Sequence, residues 1–196
     1  MGKLITIMGV TNMGKTTQQK LLESRLESIG ISFVSLKYPL YDLDPTGQRI
    51  HVYLKKGNPE NLTPIDFQKL NVQNRFDFQE RLEELVHQYQ IVIAEMYVGT
   101  GIAYGIGDGI PKQDLIDWNQ GLSIPDVSIL LDGERFLESK EEGHIFEQDD
   151  EKTERIRKIH LELAKDFGWS IINANQSVEQ VHEDILNIIK IEVKNI

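Results

Sequence analysis

Residues 9–17 read GVTNMGKTT and follow directly on the apolar run KLITIM at 3–8. The spacing is G-x-x-x-x-G-K-[ST], the pattern of a phosphate-binding P-loop between a strand and a helix. Gly9 and Gly14 let the backbone curl around an anion with several N–H groups pointing inward. The helix that starts behind the loop adds the positive end of its dipole. Lys15 carries a point charge suited to the β- and γ-phosphates of ATP, and the Thr16 hydroxyl suits Mg²⁺. The candidate ATP-binding loop is therefore Gly9, Thr11, Asn12, Met13, Gly14, Lys15, Thr16 and Thr17.

Outward from this loop, apolar runs and helical patterns alternate to the end of the chain. The stretches 4–8, 32–36, 91–94, 127–131 and 170–172 read as strands. Between them, 16–29 carries Leu21, Leu22, Leu26 and Ile29 at helical spacing, and Gly30 stands where a helix stops. Thr63-Pro64-Ile65-Asp66 supplies an N-cap, a proline in the first turn and an early acid, which predicts one long helix running to about His87. The segments 151–167 and 177–189 complete the helices. This alternation predicts an α/β fold: a three-layer P-loop NTPase architecture, with a five-stranded parallel sheet flanked by helices, in a single domain over 1–196. The one candidate insertion, GERFLESKEEGHIFEQDD at 133–150, is glycine-punctuated and highly charged. It reads either as a solvated surface loop or as a short lid.

Composition removes several function classes. Lysines and arginines number 21 against 31 acids, a net charge of −10, which argues against a nucleic-acid surface. With no cysteine there is no disulfide framework, thiolate metal site or cysteine nucleophile. No apolar stretch is long enough to span a membrane, and the N-terminus lacks a signal-peptide core. MGKLIT loosely fits a myristoylation pattern, but 4–8 reads far better as the central strand. The expectation is a cytoplasmic protein that meets neither nucleic acid nor membrane.

A P-loop enzyme also needs an acid near its metal, at the end of an apolar strand. Glu95 after IVIA and Asp132 after SILL both qualify. Glu95 is favoured, because polar and aromatic groups cluster behind it in EMYVGTGIAYG. Ligands of parallel sheets gather at the carboxyl ends of the strands.

Taken in order, these stretches resemble the thymidylate kinase family of nucleotide monophosphate kinases over nearly the whole chain. The resemblance rests on GVTNMGKTTQ, on Tyr38-Pro39 followed by GQRIHVYL, and on QNR at 73–75. It extends through EMYVGTGIAYG, IPD at 124–126, EEGHIFE and NANQSVEQVHEDI. It implies an ATP- and Mg²⁺-dependent kinase of dTMP, and a homodimer. It also implies roles. Phe67 and Tyr97 would flank the nucleobase pocket, and Arg75 would reach the base or the acceptor phosphate, supported by Gln73 and Asn74. Tyr38, Pro39 and Arg49 would complete the acceptor site. Glu95 would act near the acceptor oxygen or, with Thr16, through the metal. Lys15, Glu95 and Lys140 would be the catalytic group, with Lys140 in the lid, and Asn175 and Gln176 would border adenine.

The chain also departs from the family's pattern. Thr11 and Asn12 occupy loop positions where the resemblance leads one to expect an acid and an arginine. Tyr41 and Met96 stand where it leads one to expect arginines that grip the acceptor phosphate. Arg49 and Lys37 are the cations left to compensate. A deoxynucleoside kinase, or a kinase of another small acceptor, is the enzyme alternative; a non-catalytic nucleotide-binding protein is the alternative of another class.

Overall fold

Lys3–Met8 (β1) is the middle strand of the protein. The structure, a computed structural model, describes residues 1–135 and 150–193. Phe33–Lys37 (β2), Ile91–Glu95 (β3), Val127–Asp132 (β4) and Ser170–Asn173 (β5) join β1 in a five-stranded sheet of order β2-β3-β1-β4-β5. Every neighbouring pair is parallel. β1 is apolar except for Lys3 at its start and Thr6, whose buried hydroxyl donates to Ser128 Oγ at 3.1 Å, and both of its faces are covered, as a parallel sheet requires. Ile5 and Ile7 pack with Ile91 and Ile93 into the larger core, whereas Leu4 packs with Val92 and Ala94 into a second cluster.

The helices are Lys15–Ser28 (α1), Thr46–Lys56 (α2), Pro64–Asp77 (α3), Gln79–Gln88 (α4), Val98–Gly107 (α5), Lys112–Trp118 (α6), Asp150–Phe167 (α7) and Val178–Glu192 (α8). Thr63 caps α3 in a reciprocal box with Asp66, which satisfies two backbone N–H groups that would otherwise lack partners. The single helix expected over 63–87 is in fact two. At Phe78 the backbone turns to φ −105° and ψ −2°, and its N–H bonds to Arg75 and Phe76 in a tightened turn. The ring of Phe78 packs against the cluster containing Leu4 and Leu82. A third, small apolar cluster of Ile50, Leu54, Phe67 and Leu70 joins α2 to α3. No helix among the described residues is long and apolar enough to cross a membrane.

His160 on α7 makes stability depend on pH. Its Nδ1 lies 3.0 Å from the Ile156 carbonyl, which can only accept, so Nδ1 carries a proton. Burial pulls its pKa down to about 4 from an ordinary value of 6.5. The folded ring resists a proton that the unfolded chain takes up below about 6.5. Stability from this residue is therefore complete above that pH and is lost progressively towards 4, by about 3 kcal/mol. Urea unfolding at pH 7.5 and pH 4.5 should show a smaller loss in His160→Gln than in the native protein. Equal losses would mean that other groups carry the dependence.

Candidate active site

The glycine loop leaves the carboxyl edge of the sheet from its central strand. Gly9 has φ +145°, and a Cβ there would stand 2.6 Å from the Leu131 carbonyl oxygen, so only glycine fits. Gly14, at φ 75°, directly precedes α1 and leaves that helix N-terminus facing the loop. Lys15 is buried, and its Nζ donates to the Val10 carbonyl at 2.7 Å, folding the side chain back along the loop.

The strand register separates the two candidate acids in space. Ile7 pairs with Glu95, and Glu95 with Lys37, so Glu95 ends β3 between the loop strand and β2. Its buried carboxylate accepts from Thr16 Oγ1 at 3.4 Å and lies 3.4 Å from Lys37 Nζ. Asp132 is otherwise engaged: Arg157 forks onto both of its oxygens at 2.7 and 3.0 Å. Thr16 and Glu95 are the oxygen pair suited to a hard cation. Among the described residues no cluster of three His, Cys, Asp or Glu could hold a metal by itself. A nucleotide-borne Mg²⁺ needs none, because phosphates and water fill most of its shell.

Two cavities meet at this loop. The first, about 460 Å³, is lined by Asn12 to Thr17 together with Gln176, Val178 and Val181. The second, about 230 Å³, runs from Thr11, Asn12, Lys15 and Thr16 past Lys37, Tyr38, Pro39 and Tyr41 to Phe67, Arg75, Glu95 and Met96. Asn12, Lys15 and Thr16 line both. Met96 is held at φ 62°, a left-handed conformation uncommon for a non-glycine residue and one that gathers at functional sites. Arg75 is buried, with Nη1 donating to Asn119 Oδ1 at 3.1 Å and Nε unpartnered. Burial lowers its pKa to about 10, so it remains a cation at neutral pH in a site that invites an acceptor atom. Phe67 presents one side of the cavity wall while its ring stacks on Tyr53 at 3.8 Å.

Several residues expected at the site stand elsewhere. Arg49 lies outside both cavities, because Glu60 takes its guanidinium in an exposed fork with a shortest contact of 2.7 Å. Gln73 is exposed and donates to Asp77 at 2.7 Å. Asn74 is fully buried, bonding both the N–H and the carbonyl of Leu40 at 2.9 and 3.0 Å, so it shapes the wall rather than facing the cavity. Tyr97 is wholly buried behind that wall, its ring 4.9 Å from that of Tyr38. Burial raises the pKa of Tyr97 to about 12. Asn175 bonds the backbone of Glu134 instead of lining a cavity, while Gln176 does line the first. Lys140 lies outside the described residues, as does most of the proposed lid, 136–149.

Other lining groups were not foreseen. Gln68 and Asn71 fall on the face of α3 that carries Arg75, a 3–4 spacing that could have identified them. Thr100, Gly101 and Tyr104 line the cavity from α5. A Cβ on Gly101 would sit 2.1 Å from Arg75 Nη2, so this glycine lets the guanidinium lie against the helix. Arg135 reaches the loop at Thr11 Oγ1, 3.4 Å away, and pairs with Asp150 at 2.7 Å. Its position depends on the end of β4 meeting the loop, which no local pattern announces.

Known proteins similar to this chain include several thymidylate kinases. The chain is 29% identical to the thymidylate kinase of Dictyostelium discoideum over all of its own length and 88% of the relative's. It is 27% identical to that of Plasmodium falciparum, covering 98% of this chain and 92% of the relative. The solved thymidylate kinase of Candida albicans superposes with a TM-score of 0.78 at 25% identity, over 97% of this chain and 92% of that one. The enzyme from Ehrlichia chaffeensis, at 22% identity and a TM-score of 0.76, shares the fold over 96% of this chain and 98% of its own. The thymidylate kinase family model matches residues 7–185, and with that match over nearly the whole sequence the chain belongs to the thymidylate kinase family.

Proposed function

We propose that the protein transfers the γ-phosphoryl group of ATP to dTMP, yielding ADP and dTDP. The observation that carries this reading is the shared border of the two cavities at Asn12, Lys15 and Thr16. A triphosphate in the larger cavity would point its last phosphate at an acceptor in the smaller one, which is the in-line geometry phosphoryl transfer needs. An oxygen of the dTMP phosphate attacks the γ-phosphorus, and the bond to the β-phosphate oxygen breaks. Lys15, the loop N–H groups and the N-terminus of α1 stabilise the charge on the transferring group. Thr16 and Glu95 would hold Mg²⁺, which, when bound, neutralises the β- and γ-oxygens. Tyr38, Pro39, Phe67 and Arg75 would orient the acceptor, with Arg75 supplying the donor for a base carbonyl or a phosphate oxygen.

The test is ATP consumption with a panel of thymidine, dTMP and the other deoxynucleoside monophosphates. The expected result is the highest kcat/KM with dTMP. A purine monophosphate in first place would overturn the assignment of the acceptor cavity, and turnover with no acceptor in the panel would overturn the activity.

A further inference from the structure

We infer that Lys37 is the specificity-determining cation for the acceptor's phosphate, a position filled by one lysine instead of a pair of arginines. This rests on the acceptor reading of the smaller cavity given above. A nucleoside monophosphate brings about two negative charges against the phosphates of ATP, so its site needs cationic groups on the acceptor side. The side chains at 41 and 96 line that cavity, yet Tyr41 and Met96 are uncharged. Among the described residues its lining cations are Lys15, Lys37 and Arg75. Lys15 is shared with the nucleotide cavity and folds back onto Val10, so it belongs to the donor phosphates. Arg75 is buried, bonded to Asn119 and packed against Gly101, so its head group has little freedom to move.

Lys37 differs from both. It pairs in register with Glu95 at the carboxyl edge of the sheet, and Glu95 in turn meets Thr16, so one carboxylate separates it from the metal-binding hydroxyl. Its side chain is 61% exposed while that of Glu95 is 4% exposed. A lysine head that is mostly exposed can swing away from this 3.4 Å ion pair once another cation takes the buried carboxylate. When Glu95 turns to a metal, Lys37 is the cation released beside the reacting centre, free to meet an incoming phosphate. A lysine offers a point charge where an arginine offers a planar fork, so Lys37 would favour a phosphorylated acceptor by charge and not by a bidentate fit.

Calorimetric titration of the full-length protein with dTMP and, separately, with thymidine tests this, using native protein, Lys37→Ala and Lys37→Arg in the presence of Mg²⁺ and ADP. Lys37→Ala should weaken dTMP about 10- to 100-fold, the range for loss of a charged hydrogen bond, and thymidine by less than about 2-fold. Lys37→Arg should restore most of the dTMP affinity. Unchanged dTMP binding in Lys37→Ala would overturn the inference, and so would equal losses for both ligands, which would give Lys37 only a supporting role for Glu95. Failure of the native protein to bind dTMP would overturn the acceptor reading itself, and this inference with it.

Discussion

Lys15→Ala is expected to slow phosphoryl transfer by about 10²- to 10³-fold, the range seen when one preorganised donor is removed from a developing charge. Lys15 is buried and lines both cavities, so under the proposed transfer it would meet the γ-phosphate on its way from donor to acceptor. Its stem runs along the loop with Nζ 2.7 Å from the Val10 carbonyl. Truncation would take away that bond, made to the carbonyl of a core residue, as well as the charge. The measurement is single-turnover transfer from ATP to dTMP, with thermal melting as a control for folding. A variant that melts normally and retains near-native transfer would remove the loop from the chemistry.

Glu95→Gln is expected to raise the Mg²⁺ concentration needed for half-maximal activity about 10- to 100-fold. Glutamine keeps the shape of the side chain and can still accept from Thr16, so the change isolates charge from packing. The carboxylate is almost completely buried and is flanked by one neutral hydroxyl and one exposed lysine. A carboxylate in that setting is an oxygen ligand that a divalent cation would meet directly. Activity titrated with Mg²⁺ and then with excess chelator checks the expectation. An unchanged Mg²⁺ requirement in the variant would assign the metal to other ligands, and native activity that persists in chelator would remove the metal altogether.

The sheet, the loop and the cap of α3 were legible because each depends on residues close in sequence. The stretch 4–8 is apolar but for Thr6, the loop spacing is fixed by two glycines, and Thr63 and Asp66 form their box within one turn. The acceptor wall was less legible. VGTGIAYGIG does not read as a helix, since glycine disfavours one. Yet α5 forms there, because its glycines admit close neighbours such as the Arg75 head group at Gly101 and the Trp169 ring at Gly99. Arg49 illustrates the opposite error. A cation in the right stretch of sequence carries no information about direction, and Glu60, placed by the turn beyond α2, draws it outward. Asp132 was ambiguous until Arg157, 25 residues later, could be seen to occupy it.

The tether between Asn74 and Leu40 bears on folding fidelity. Asn74 and Arg75 are adjacent on α3, so their side chains leave the helix about 100° apart and any rotation of α3 carries both. One of them gives the chain after Tyr38-Pro39 the donor and the acceptor that a neighbouring strand would have supplied. The other puts the buried cation into the cavity. A state in which α3 docks one residue out of phase therefore loses the wall and the cation together. Undocking of α3 would thus cost the chain after Pro39 its backbone partners and the cavity its buried cation in one step.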